Sequence, residues 1–159
     1  MTEMTVRPAR PQEAEALTAL CRRAKAHWGY DTDFMARSAA SLTISRALIE
    51  SGLVLVAEGE NAGLLGMASL DPLKDKVWDL LHMFVEPAAI GTGVGRILFA
   101  RIAALAQTKG GTRLSILSDP HAEGFYLRLG ARRAGEAPSD SISGRMLPLL
   151  EYDLDALKF

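Results

Sequence analysis

The spacing of apolar residues changes several times along the chain, and each change predicts an element. Met4–Ala9, "MTVRPA", reads as a short first strand. From Pro11 to about Lys25, Leu17, Leu20, Cys21 and Ala24 recur at helical spacing, with Pro11, Glu13 and Glu15 suited to a helix start. Gly29 in "HWGYD" predicts the stop. A looser helical region runs from Asp33 to Ile49, in one or two pieces. "GLVLVAE", the turn "GENAG" and "LLGMASL" make a hairpin. "KVWDLLHMFVEP" is a strand closed by Pro87.

A helix follows in which Val94, Leu98, Arg101, Ile102 and Leu105 fall close together on the wheel, and Gly110-Gly111 stops it. "RLSILSD" is a strand, "HAEGFYLRLG" a short helix and "ARRAGE" the start of another strand. After the polar "SDSISG" comes the last strand, "RMLPLLEYDL". The order β-α-α-β-β-β-α-β-α-β-β predicts an α+β (mixed α/β) fold. It is a mostly antiparallel sheet of about seven strands flanked by about four helices, with one parallel β-α-β unit from Val77 to Leu117.

Composition narrows the function. The 159 residues suit a single domain, 1–159, with a sizeable core. A net charge of −1 offers no basic footprint for nucleic acid. The one cysteine, Cys21, excludes an internal disulfide and most zinc sites, so no metal is expected, and its position suggests a small buried residue. No apolar run approaches the ~20 residues that span a bilayer, and the first residues carry no apolar signal core. The expected compartment is the cytoplasm, with no membrane partner.

The densest glycine cluster is "AIGTGVGR", between the Val77–Val85 strand and the next helix. Glycines there let bare backbone approach an anion at a helix start. Gly91, Gly93 and Gly95 follow G-x-G-x-G, so the third glycine is misplaced for a dinucleotide fingerprint, and Arg96 stands at that position. A P-loop would need Gly-Lys followed by Ser or Thr, which is absent here.

Together with Val85-Glu86-Pro87, the frame Ile90-Gly91-Thr92-Gly93-Val94-Gly95 resembles the GNAT superfamily of N-acetyltransferases, whose strand ends in V-x-P before Gln/Arg-x-x-G-x-G/A. "SDPHAEGFYLRLGA" supports the resemblance. Ala122, Phe125, Tyr126, Leu129 and Gly130 match, while Asp119 stands where Asn is usual and Ile90 where Gln or Arg is. The tail and the "HWGY" segment resemble a bacterial subgroup. The resemblance implies acetyl-CoA as co-substrate, its pyrophosphate held by the amides of Gly91, Thr92, Gly93, Val94, Gly95 and Arg96. It implies further contacts from Asp119, Ala122 and Tyr126, and pantetheine pairing with the edge of Met83, Phe84 and Val85. It implies direct acetyl transfer to a primary amine of a small molecule or protein. A catalytically silent acetyl-CoA-binding or sensor module is the alternative.

The chemistry then needs an acid, a carbonyl donor and a base. Tyr126 matches the tyrosine that protonates the leaving thiolate in related enzymes; otherwise it packs on a helix face. A backbone N–H near Met83–Val85 would meet the thioester carbonyl. For the base, the strand offers His82, whose ordinary pKa of ~6.5 suits the task, and Asp79, acting through water. Their bland counterparts are a hydrogen-bonded structural histidine and a solvated carboxylate. Strict alternation puts Trp78, Leu80, His82 and Phe84 on one face and Asp79, Leu81 and Met83 on the other. The charge of Glu86, close to the phosphate loop, argues against a catalytic role. His27, Trp28 and Tyr30 would form an aromatic wall for the acceptor, or else Trp28 and Tyr30 cover the core. Exposed strand edges near the C-terminus would suit a homodimer.

Overall fold

The computed structural model describes residues 4–61 and 63–155. Strand β1 (Met4–Pro8) leads through a 3-10 turn (Pro11–Glu13) into α1 (Ala14–Ala26), followed by α2 (Thr32–Ser38) and α3 (Arg46–Glu50). Then come β2 (Val54–Gly59), β3 (Gly63–Pro72), β4 (Val77–Val85) and a 3-10 turn at Pro87–Ala89. Helix α4 (Val94–Thr108), β5 (Arg113–Leu117), α5 (Glu123–Arg128), β6 (Arg132–Pro138) and β7 (Met146–Asp153) complete the chain. The seven strands form one sheet in the order β1-β2-β3-β4-β5-β7-β6. Its parallel pair is β4 with β5, as the crossover through α4 requires. The α+β architecture is the expected one. The looser helical region is two helices, α2 and α3, each begun by a side-chain cap. Asp31 accepts from the Phe34 amide and Ser45 from the Leu48 amide.

Two compact units make up the chain. The first comprises Met1–Ser69 and His82–Ile102. Its core gathers Leu17, Leu20 and Cys21 of α1 with Leu42, Ile44, Ile49, Val54, Val56 and Met67. Cys21 is fully buried, as expected, and burial pushes its thiol up to about 12, which leaves it inert. At the edge of this unit Arg7 bridges Glu13 at 2.8 Å and Glu58 at 2.9 Å. These pairs join β1 to the first 3-10 turn and to β2.

The second unit comprises Leu70–Leu81 and Ala103–Phe159. Leu70, Leu80, Leu114, Ile116, Leu147 and Leu150 are buried in it. Pro148 lies inside β7 without breaking a ladder. The β5 ladder on β7 covers Leu149–Asp153, and Pro148 contributes only its carbonyl, to Ser118 N at 2.9 Å.

Helix α4 sorts its wheel neighbours by burial. Val94, Leu98, Phe99, Ile102, Ala103 and Ala106 are buried along it, while Arg101 is exposed and Leu105 half-buried. The buried stripe follows 94-98-102-106 and its 99-103 flank. The stem of an arginine can share a wheel sector with apolar residues, but its head must stay in water.

Candidate active site

The glycine loop lies between the Pro87–Ala89 turn and α4. Gly91 and Gly93 adopt φ of 82° and 92°, the left-handed region where a side chain is strained. Nothing lies within 4 Å of where a Cβ would stand on either one. Thr92 folds its hydroxyl back onto Ala89 O at 2.5 Å. The first helical bond of α4 is Ile97 N to Gly93 O. The amides of Val94, Gly95 and Arg96 therefore precede any helical acceptor and are turned to the N-terminal end. Arg96 is exposed beside them and Val94 is buried as the anchor of the helix. This is a bare helix start, whose free amides and dipole favour an anion.

Strand β4 approaches the loop, and Glu86 after it is pinned by its amide to Leu65 O at 2.8 Å. Its carboxylate takes a bidentate pair from Arg23 of α1, at 2.9 and 2.6 Å. That partner explains Glu86 without any catalytic role. The parallel ladder with β5 covers Val77, Trp78 and Asp79 and, among the described residues, extends no further, although β4 continues to Val85. Met83, Phe84 and Val85 are half-buried on that continuation.

The two candidate bases have different environments. His82 is buried, with Nδ1 2.7 Å from Ser69 Oγ and Nε2 2.8 Å from the Ser41 carbonyl. A carbonyl only accepts, so the ring proton sits on Nε2 and Nδ1 accepts from Ser69. Burial holds the imidazole below its usual pKa, and it is neutral. Asp79 ends the β5 ladder half-buried. Burial, reinforced by the charges of Asp71 and Asp140, pushes its carboxyl up to about 6.

Tyr126 belongs to α5 in the second unit. Only 6% of it is exposed. Burial, and secondarily the charge of Asp119, holds its phenol far above the usual tyrosine range, so the hydroxyl stays protonated. Its ring meets Phe125 edge-on at 5.1 Å, and its carbonyl receives the Ala131 amide at 3.1 Å after Gly130 turns the chain. Ala122 sits at the N-cap of α5, its amide bound to Asp119 O at 2.9 Å. The Asp119 Oδ1 accepts from His121 N at 2.9 Å and His121 Nδ1 at 2.8 Å, and Oδ2 lies 3.8 Å from Arg145.

In the first unit, α1 ends before His27 and Gly29 takes φ of 87°. Trp28 is 40% exposed, so it does not cover the core. His27 meets it edge-on at 5.1 Å. Tyr30 stacks on Phe34 at 3.9 Å, with Lys25 Nζ 5.2 Å from the Tyr30 ring. The first unit thus holds His27, Trp28, Tyr30, His82, the Met83–Val85 edge and the glycine loop, and the second holds Asp79, Asp119, Ala122 and Tyr126. The Arg23–Glu86 and Asp119–Arg145 pairs join residues far apart along the chain, and no local spacing announces them.

The model of the Acetyltransferase (GNAT) family matches residues 14–131. The chain belongs to the GNAT acetyltransferase family. GNAT enzymes draw the acetyl group from acetyl-CoA, and acetyl transfer is this chain's class of reaction. Solved structures share the fold. A GCN5-related N-acetyltransferase from Rhodopseudomonas palustris is 23% identical, with a TM-score of 0.75 over 96% of this chain and 97% of that one. The paiA N-acetyltransferase from Thermoplasma acidophilum, solved in complex with coenzyme A, is 15% identical, with a TM-score of 0.75 over 95% and 99%. The structure of yncA from Salmonella typhimurium, with its cofactor acetyl-CoA, is 24% identical, with a TM-score of 0.69 over 99% and 97%. No curated protein sequence matches the chain. Among the described residues, no helix is long and apolar enough to cross a membrane. Against the GNAT pattern, Ile90 is 46% exposed and brings no donor, and Asp119 brings a charge where an amide is usual.

Proposed function

We propose that this GNAT protein transfers the acetyl group of acetyl-CoA to a primary amine of a small molecule or protein, by direct attack and in the cytoplasm. The observation that carries the reading is the pair of left-handed glycines, Gly91 and Gly93, opening the first turn of α4 with open space around both. In this reading the amides of Gly91, Gly93, Val94, Gly95 and Arg96 hold the pyrophosphate and Arg96 adds its charge, while the Thr92 amide is taken by Ala89 O at 3.3 Å. Backbone amides of Met83–Val85 hold the pantetheine and meet the thioester carbonyl as charge develops on its oxygen.

Asp79 serves as the base, relayed through water. Its carboxyl, pushed up to about 6, is ionised at neutral pH yet is a stronger base than an ordinary aspartate. His82 is the weaker candidate, because both ring nitrogens already serve Ser69 and Ser41. Tyr126, kept protonated by its burial, gives its proton to the departing thiolate. His27, Trp28 and Tyr30 offer an aromatic wall to the acceptor.

The test is a panel of primary amines, from alkylamines to lysine peptides, incubated with acetyl-CoA while released thiol is measured. Amine-dependent thiol release and an acetylated product support the reading. Acetyl-CoA binding without release across the whole panel would instead support a silent binding module.

A further inference from the structure

The Asp119 carboxylate is mostly buried, its side chain 14% exposed, and its charge is felt at Tyr126. That charge is a liability for the acid proposed above. As the C–S bond of the thioester breaks, its electron pair goes to sulfur. The Oη–H bond of Tyr126 then breaks, an S–H bond forms on CoA, and a phenolate is left until solvent returns a proton. A bare carboxylate beside that phenolate would oppose the transfer.

The structure supplies a counter-charge. Arg145 lies 3.8 Å from Asp119 Oδ2, with its side chain only 19% exposed. The 139–145 loop holds it there. Arg145 N bonds Ile142 O at 3.2 Å, Ser139 N bonds Arg145 O at 2.8 Å, and Ile142 is buried. His121 bonds the other oxygen, Oδ1, through its amide and its Nδ1. Glu123, also on α5, has its own partner in Arg133 at 3.3 Å.

We propose that Arg145 is a positioning residue that acts through Asp119, compensating its carboxylate so that Tyr126 can release its proton. The inference rests on the reading of Tyr126 as the acid. It gives a role to the aspartate that replaces the usual asparagine, since an uncharged residue there would need no arginine.

The test measures kcat with acetyl-CoA and hydroxylamine, a small nucleophile neutral at pH 7, so that base removal does not intrude. Arg145→Met should lower kcat roughly 10-fold, the effect of about one pKa unit on the acid, with the KM for acetyl-CoA unchanged. Arg145→Lys should retain the wild-type rate. Adding Asp119→Asn to Arg145→Met should restore the rate, because the charge needing compensation is gone. In a Tyr126→Phe protein, Arg145→Met should cause no further loss. A double variant as slow as Arg145→Met, or an undiminished loss in the Tyr126→Phe background, overturns the inference alone. An unchanged kcat in Tyr126→Phe itself overturns the acid assignment, and the inference with it.

Discussion

His82 donates its Nε2 proton to the backbone carbonyl of Ser41 at 2.8 Å, across 41 positions of chain. The same ring accepts from Ser69 through Nδ1, so one neutral imidazole ties the turn after α2 to strands β3 and β4. Such a ring is a structural clamp with a defined tautomer. Replacing it by alanine strands the buried Ser69 hydroxyl and takes a donor from the Ser41 carbonyl, at a cost of about 2 kcal/mol.

The clamp has a pH signature. Its folded pKa lies below the ordinary histidine value, so the unfolded chain binds the proton first. Stability should be full above pH ~6.5 and fall as the pH drops from there towards the depressed folded value. Denaturant melts of wild type and His82→Gln between pH 7 and 5 check this. The variant should be less stable at pH 7 and lose less on acidification.

Gly66 offers a second test of the packing that supports β4. A Cβ there would stand 2.8 Å from Leu98 Cδ1 and 3.0 Å from the Phe84 carbonyl. Leu98 can rotate slightly, but the backbone oxygen cannot. Gly66→Ala should lower stability by about 1–3 kcal/mol, read as a shift in denaturation midpoint. An unchanged midpoint would mean that α4 sits more loosely on β3 than its buried face implies.

Asp79 predicts the acid limb of catalysis. With its carboxyl pushed up to about 6, the active carboxylate form is lost as pH falls through 6. The pH profile of kcat/KM should rise to a plateau above that value. Asp79→Asn should cut the rate roughly 100-fold or more and abolish the limb. A limb that persists in Asp79→Asn would assign the titration to another group.

Most of the architecture was legible because it depends on local pattern. The helix stop at Gly29, the strand closed by Pro87 and the Gly91–Gly95 loop each follow from residues close in sequence. The environment of the candidate groups was not legible. Whether His82 is a base or a clamp depends on Ser41 and Ser69, and no spacing announces a carbonyl 41 positions away. Likewise Arg145 meets Asp119 only once β7 lies beside β5. Alternation placed His82 and Asp79 on opposite faces of β4. It could not show that the ladder ends at Asp79, which is a property of the neighbouring strand.

Ile90 tests how the loop works. If backbone amides carry phosphate binding, Ile90→Arg should tighten acetyl-CoA only a few-fold, since an exposed ion contact adds about 1 kcal/mol or less. Gly93→Ala, forced into a left-handed backbone, should weaken acetyl-CoA binding by about 10-fold or more. Calorimetric titration distinguishes the two. A very large gain from Ile90→Arg, starting from barely detectable wild-type affinity, would mean that the natural loop is degenerate.

A protein built around this loop, with Tyr126 as its acid, should turn over acetyl-CoA. The most direct measurement compares thiol release by wild type and Tyr126→Phe with acetyl-CoA and an accepted amine, alongside the acetyl-CoA Kd of each. Steady turnover is expected in the wild type, with a fall of roughly 100-fold in kcat for the variant and equal Kd values. Equal kcat in the two proteins would contradict it.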